Sequence, residues 1–385
     1  MNAVVSRIHH TTLFYLTTAL LWSSLYIYMP ILPVHAENLG ATMGLVGTIV
    51  GAYGFSQLVL RVPMGMWSDR IGTRKPFILV GIVAAGVAGL GLAQSSDPNW
   101  LVIWRGVAGI GAASWVAFTV LFSSYFPPEK ATRAMANLVF ITGISQTLCT
   151  YAGGMIAEIW GWHAPFYVAI LLAFLALLTA LILHEKPLTV RRKMTLRDLY
   201  RIGTTPQLLI VSVITLLSMW NFTAAGGGFT LVYGGRLGAS RSELGMLSTV
   251  MQLAHMMAAY ASDSVASRFG YCRTVATGLL IQSLACFMVP MVSSLPMLAL
   301  SQSLSGFGRA FVYSMLMGLS IRAVPPSDRA TAMGVFQAIY ALGMFAGPAT
   351  TGVLGDALGF FSVFYIAGAA TVLGLFLTLA RVPAK

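Results

Sequence analysis

The chain has 385 residues, 57% of them apolar and 9% charged, with 23 Lys and Arg against 11 Asp and Glu for a net charge of +12. A soluble protein carries about a quarter charged residues, so the composition excludes a soluble enzyme or a nucleic-acid-binding protein. The three cysteines, Cys149, Cys272 and Cys286, make neither a disulfide framework nor a CxxC metal pair, and no HExxH, GxSxG or phosphate-loop signature occurs.

A helix that crosses the ~30 Å hydrocarbon layer needs about 20 mostly apolar residues. Twelve such stretches are predicted. Those of the first half lie near 11–34, 43–66, 76–95, 99–122, 134–157 and 164–184. The second half gives 206–232, 241–262, 274–294, 296–322, 331–355 and 360–381. The basic amino-terminal region and its apolar run lack a small-residue cleavage site, which predicts a retained first span rather than a signal peptide. A polar stretch over 185–205, with Lys186, Arg191, Arg192, Lys193, Arg197 and Arg201, separates a six-span unit over 1–184 from another over 206–385.

Lysine and arginine set the orientation. With both termini in the cytoplasm, 18 of the 23 basic residues face inward, and only Arg236 and Arg241 lie outside. Arg61, Arg105 and Arg309 fall within spans. The positive charge is thus a topogenic signal and a contact with anionic lipid.

The two halves repeat at an offset of 198 residues. Residues 153–167 align with 351–365, so that Glu158 meets Asp356 and Gly161 meets Gly359, while Leu39–Gly40–Ala41 meets Leu237–Gly238–Ala239. Six spans, a basic linker and six similar spans predict a transporter with its binding site between the halves near the midplane.

The loop after span 2 reads Gly65-Met66-Trp67-Ser68-Asp69-Arg70-Ile71-Gly72-Thr73-Arg74-Lys75-Pro76. It resembles the signature loop of the major facilitator superfamily, and its second-half counterpart, Asp263…Arg268-Phe269-Gly270…Arg273, is degenerate. Trp104-Arg105-Gly106, followed by Gly109 and Gly111, resembles the family's span-4 motif. Pro30…Pro33…Leu39-Gly40-Ala41 is similar to the drug–proton antiporter branch, which implies export. The span-5 glycine–proline motif of that branch is incomplete, with Ser145, Cys149 and Thr150 before Gly153 and Gly154, and the full form Gly343…Gly347-Pro348…Gly352 stands in span 11. Direction therefore stays open at this point. The resemblance implies a gating role for Gly65, Asp69, Arg70, Gly72, Arg74 and Lys75. Asp69 is expected near the positive end of a helix, that of span 11, and the basic residues beside an acid such as Glu129, with Arg133 nearby. A solvated turn carrying topogenic charge is the alternative. The glycines of spans 2 and 3, Gly44 to Gly89, are read as packing residues.

Ionisable groups deep in a membrane are costly and mark function. All eleven carboxylates fall in loops or at span ends, which argues against a cationic drug as the main substrate. Arg105, Arg309 and His255 remain as deep basic candidates. Guanidinium binds carboxylate or phosphate in a fork, so the arginines point to an anionic or zwitterionic substrate; Arg105 can instead be tied to backbone carbonyls. His255 is either a proton carrier or a packing residue. Trp22, Tyr26, Trp115, Trp220, Asn221 and Tyr313 on the lining spans, with Gln57, Gln146, Gln252, Gln337 and Tyr340 on flanking spans, are candidates to complete an amphipathic pocket.

The fold expected is an all-α integral membrane protein, with twelve transmembrane helices in two pseudo-symmetric six-helix bundles. The function expected is secondary active transport of a small organic, amphipathic or anionic solute by alternating access, as proton-coupled efflux. The rival is an uptake permease or a passive facilitator. No metal or cofactor is expected beyond the proton gradient. The expected partners are a small-molecule substrate and the lipid bilayer, not nucleic acid, with the chain working as a monomer in the plasma (in a bacterium, the inner) membrane.

Overall fold

The computed structural model describes residues 2–185, 196–322, 324–325 and 328–382. Every regular element among them is helical. Span 1 is α1 (Asn2–Tyr26) and α2 (Leu32–Asn38), broken between them at Pro30. Spans 2 and 3 are α3 (Met43–Ile71) and α4 (Lys75–Gln94), and span 4 is α5 (Pro98–Ala113) and α6 (Trp115–Ser124). Spans 5 and 6 are α7 (Pro128–Trp160) and α8 (Ala164–Ile182). The described part of the linker contains a short helix, α9 (Leu196–Gly203), which the sequence did not predict. Its Arg201 bonds Asp328 at 2.9 Å, fastening the linker to the start of span 11.

In the second half, span 7 runs through α10 (Pro206–Asn221), a π-helical stretch (Phe222–Phe229) and α11 (Thr230–Arg236). Spans 8 to 12 are α12 (Arg241–Phe269), α13 (Tyr271–Met288), α14 (Leu295–Arg322), α15 (Arg329–Leu358) and α16 (Ser362–Arg381). Ten of the twelve passages are long and apolar enough to cross a membrane by length and composition.

The backbone carries the repeat. Among the described residues the glycines with positive φ form three pairs at the same offset of 198: Gly40 and Gly238, Gly72 and Gly270, Gly161 and Gly359. Helix starts repeat as well. Thr42 caps α3 by accepting from the Leu45 N–H at 3.2 Å, and Ser240, 198 residues on, caps α12 in a box with Glu243. Such caps satisfy helix-end N–H groups that have no intrahelical partner.

The halves meet on the face opposite the chain termini. There a single buried apolar cluster takes residues from both, among them Ile27, Tyr28 and Val46 of the first half and Phe229, Leu244 and Phe364 of the second. Toward the terminal face the core divides into one cluster in the first half and a large and a small one in the second. Span 2 packs on span 11 through the predicted glycine stripe: a Cβ on Gly47 would stand 1.9 Å from the Pro348 carbonyl oxygen, and one on Gly51 2.6 Å from that of Phe345. Span 5 packs on span 8 at Gly154 and Gly245, whose close approach leaves no room for a side chain on either. Nearer the terminal face span 11 stands clear: a Cβ on Gly334 would meet nothing within 4 Å.

Two carboxylates lock this closure, and the repeat relates them. Asp356 of span 11 accepts from the Met43 and Gly44 N–H groups at 2.9 and 2.8 Å, at the start of span 2. Glu158 of span 5 accepts from the Arg241 N–H at 2.8 Å, at the start of span 8. Met43 and Arg241 are themselves 198 residues apart. A negative charge at a helix amino terminus meets unpaired N–H groups and the positive dipole end. Arg236 donates to Glu37 through both Nε and Nη2, at 3.0 and 2.6 Å, and completes the seal. Both basic residues that the sequence placed on this face thus join the halves.

Two outcomes follow for a cysteine-free chain carrying Ser248→Cys in the central cavity and probed from the far face with a membrane-impermeant thiol reagent. Asp356→Asn and Glu158→Gln each weaken closure by about 0.3–2 kcal/mol, which raises the labelled population roughly two- to thirtyfold; labelling at the parent rate would deny the caps a part in closure. Gly47→Ala overpacks spans 2 and 11 at a cost of about 1–3 kcal/mol and also speeds labelling, unless the contact with Pro348 is not what holds this face shut.

Candidate functional site

Between the halves lies a void of about 600 Å³, including the part open to solvent, lined from both sides. Span 1 gives Tyr26 and Met29, span 2 Tyr53, span 4 Arg105, span 7 Phe222 and span 8 Met251 and Gln252. The break in span 1 brings Tyr28 and Met29 to Arg105. The π-helical stretch of span 7 contains Gly226-Gly227-Gly228, whose lack of side chains lets the backbone widen and approach the cavity. Apart from Arg105 the lining is aromatic, aliphatic, thioether and uncharged polar.

Arg105 is 2% exposed. Its Nη1 donates to the Tyr28 hydroxyl at 3.3 Å and its Nη2 to the Met29 sulfur at 2.7 Å, and its guanidinium lies 4.1 Å from the Tyr53 ring centre. Among the described residues neither a carboxylate nor a backbone carbonyl holds it, so the carbonyl alternative does not describe this conformation. Arg309 stacks at 3.6 Å on the face of Phe222, which forms part of the cavity wall. His255 faces Arg309 and the Gly306 backbone. Tyr313 and Tyr340 pack edge to face at 5.8 Å within electrostatic reach of Arg309.

The structure adds a residue that the sequence reading left out of the site. Arg61 of span 2 is 3% exposed; its Nη1 donates to the Tyr340 hydroxyl of span 11 and its Nη2 to the Gln57 Oε1, both at 2.7 Å. It joins spans 2 and 11, and so the halves, and brings Gln57 and Tyr340 into one network. The signal was present, a basic residue well inside an apolar span, but its partners are 4 and 279 positions away.

Other candidates divide. Gln252 donates to the Gln146 Oε1 at 3.2 Å across spans 8 and 5, beside the cavity. Trp22 packs on Tyr26 and on Trp115, whose ring also stacks with Phe118 in the first-half core, so Trp115 supports the wall rather than lining it. Trp220 donates to the Thr351 hydroxyl at 2.8 Å and ties span 7 to span 11. Asn221 is a correction: it turns away from the cavity and donates to the Ala367 carbonyl of span 12 at 3.2 Å. One residue's rotation, about 100° on a helix, carries it off the lining face on which Phe222 stands. Gln337 is half-buried one turn before Tyr340 on α15.

The signature loop also departs from expectation. Asp69 pairs with Arg74 of its own loop, not with the start of span 11. The backbone N–H groups of Arg74 and Lys75 donate to Glu185, and Lys75 Nζ caps α8 through the Leu181 and Leu183 carbonyls at 2.7 and 2.9 Å. Gly72 closes α3 at φ +77°, a conformation that costs glycine nothing. Gly65 has Val116 beside it, and Arg70 and Arg133 are exposed. The Glu129 side chain lies outside the described residues. The expected contact with the start of span 11 needs the halves together on the terminal face, and it is not made among the described residues.

The family model described as Major Facilitator Superfamily matches the chain twice, over residues 14–210 and 211–385. The inner membrane transport protein YajR of Escherichia coli is 35% identical over 151 residues, 39% of this chain and 33% of that one. The multi-drug resistance efflux pump PmrA of Streptococcus pneumoniae is 24% identical over 355 residues, 89% of this chain and 88% of that one, in keeping with the resemblance to the drug–proton antiporter branch. Among solved structures, the human organic anion transporter MFSD10 superimposes with a TM-score of 0.70 at 19% identity, over 97% of this chain and 99% of that one, a likeness of fold. With both halves matched, the internal repeat in the backbone and the cavity between the halves, the chain belongs to the Major Facilitator Superfamily and is a membrane transporter, not an enzyme.

Proposed function

We propose that this transporter carries a small amphipathic organic anion out of the cell by alternating access, with the proton gradient as its energy source. The observation that carries the anion is Arg105 on the wall of an otherwise uncharged cavity, together with Arg309 behind Phe222, at a depth where the sequence has no carboxylate. A buried cation costs about 2.5–3.5 kcal/mol at the membrane centre on insertion scales, and a substrate carboxylate, sulfonate or phosphate offsets that cost. The aromatic and methionine lining suits an apolar body of variable shape.

In this reading residues 1–184 and 206–385 are the two moving bodies, 185–205 links them, and termini and linker are cytoplasmic. The far face is then extracellular, and the conformation described opens to the cytoplasm. Export is supported by the similarity to PmrA, an efflux pump by name. It is supported too by the membrane potential, which favours expelling an anion from a negative interior by about 2.3 kcal/mol per charge per 100 mV. Since the lining offers no carboxylate, His255 beside Arg309 is the group proposed to carry the proton.

The reading is tested with 2-naphthalenesulfonate, a permanently charged amphiphile, in proteoliposomes. Its release is faster with an imposed pH gradient than without; equal rates reduce the protein to a passive facilitator. Arg309→Ala weakens binding roughly ten- to a hundredfold, as expected for loss of a charged hydrogen bond, and Arg309→Lys restores part of it because the fork is lost. Unchanged affinity in a well-folded Arg309→Ala protein ends the anion reading.

Orientation has its own measurement. Single cysteines in the 234–241 loop react with an impermeant thiol reagent added to intact cells, and cysteines in 185–205 react only after the cells are opened. The reverse pattern inverts the topology and with it the direction assigned to the cavity.

A further inference from the structure

Three guanidinium groups, not two, converge on the centre, and three tyrosines alternate with them. Arg105 lies over the Tyr53 ring, one turn from the Gln57 that holds Arg61, and Arg61 bonds the Tyr340 hydroxyl, whose ring packs at 5.8 Å on Tyr313, one turn after Arg309 on α14. Their hydrogen-bond partners are neutral: the Tyr340 hydroxyl, Gln57 and the Ala112 carbonyl for Arg61, and the Tyr28 hydroxyl and Met29 sulfur for Arg105. Arg309 rests on a ring face. In all three the Nε–H is buried and has no acceptor among the described residues. Arg61 and Arg105 are each more than nine-tenths buried.

We infer that Arg61, Arg105 and Arg309 form one anion site whose preferred occupant is an amphipathic organic dianion, such as a phosphate monoester or a dicarboxylate joined to an apolar body. The inference rests on the anion reading above and adds charge number to it. One carboxylate or sulfonate neutralises one guanidinium and leaves two buried charges uncompensated. A phosphate monoester carries nearly two charges at neutral pH and three acceptor oxygens, enough to meet several forks at once. The tyrosine hydroxyls between the arginines supply neutral donors that hold the remaining oxygens, and the cavity wall of Phe222, Met29 and Met251 takes the apolar part. Arg61 sits behind Tyr340 in the present conformation, so its contribution is the positive field at the site and, once Tyr340 turns, a direct fork.

The test uses a matched charge series on one apolar body: 2-naphthol, 2-naphthalenesulfonate and 2-naphthyl phosphate, titrated calorimetrically into the purified full-length chain at about pH 8, where the phosphate is a dianion. The phosphate ester binds at least about tenfold more tightly than the sulfonate, and the sulfonate more tightly than the naphthol. Arg61→Gln weakens the phosphate more than the sulfonate and so removes the phosphate preference, and Arg61→Lys keeps an intermediate preference. A sulfonate that binds as tightly as the phosphate overturns the dianion inference and leaves the anion reading standing. A well-folded Arg61→Gln protein with the full preference overturns the assignment of Arg61. If 2-naphthol or the cation 2-naphthylmethylammonium binds as well as the sulfonate, the anion reading falls and takes this one with it. The wild-type series decides the charge number even where Arg61→Gln does not fold.

Discussion

Positive charge without a carboxylate partner at the centre of a membrane-spanning bundle is the constraint to which the interior answers. Arg61, Arg105 and Arg309 are held by ring faces, hydroxyls, an amide and a thioether rather than by acids. A cation over an aromatic face gains about 0.5–2 kcal/mol, more as water is excluded, which offsets part of the cost of burial without neutralising the charge. An ion pair would neutralise it, and a site neutralised from within has little left with which to attract an anion. The acids are kept at the ends of the helices, where they do other work.

That work is closure. Asp356 and Glu158 each cap a helix of the opposite half, and Glu37 takes Arg236. Because the internal repeat relates the two caps, a single solution is used twice, once on either side of the cavity. The glycines beneath them let spans 2 and 11, and 5 and 8, approach to backbone contact, so the far face is sealed by packing as well as by charge. Small residues at such interfaces are what permit close packing where no hydrophobic driving force acts between helices. Both kinds of contact lie on one face, so parting the halves there would break them together. On the terminal face the signature loop is folded on itself, with Asp69 held by Arg74 and the strand of backbone after it held by Glu185. The same acid is thus available to a different partner when the other state forms.

Much of this was legible in the chain alone, because a bilayer imposes a length and a composition on every span and because an internal repeat reports its own symmetry. The twelve passages, the packing glycines and the two solitary basic residues on the far face follow from those rules. The candidate site was less legible. Arg105, Arg309, Tyr26 and Gln252 were recognisable as polar or aromatic residues on lining spans, but Asn221 was on the same span as Phe222 and one residue's rotation sent it to span 12 instead. The helix α9 escaped notice because its apolar content is too short to register beside the charges of the linker.

What the sequence determined by itself is what depends on the solvent and on local spacing: which segments enter the membrane, which glycines turn the chain, and the absence of acid at depth. Tertiary structure alone decided who meets whom. Arg61 became part of the centre only when span 11 delivered Tyr340 to it from 279 residues away, and Asp356 became a cap only when span 2 began beside it. Periodicity fixes the face of a helix but not its neighbour, and a guanidinium or carboxylate acquires its role from the neighbour, because its energy at depth is set by the few atoms within hydrogen-bond reach.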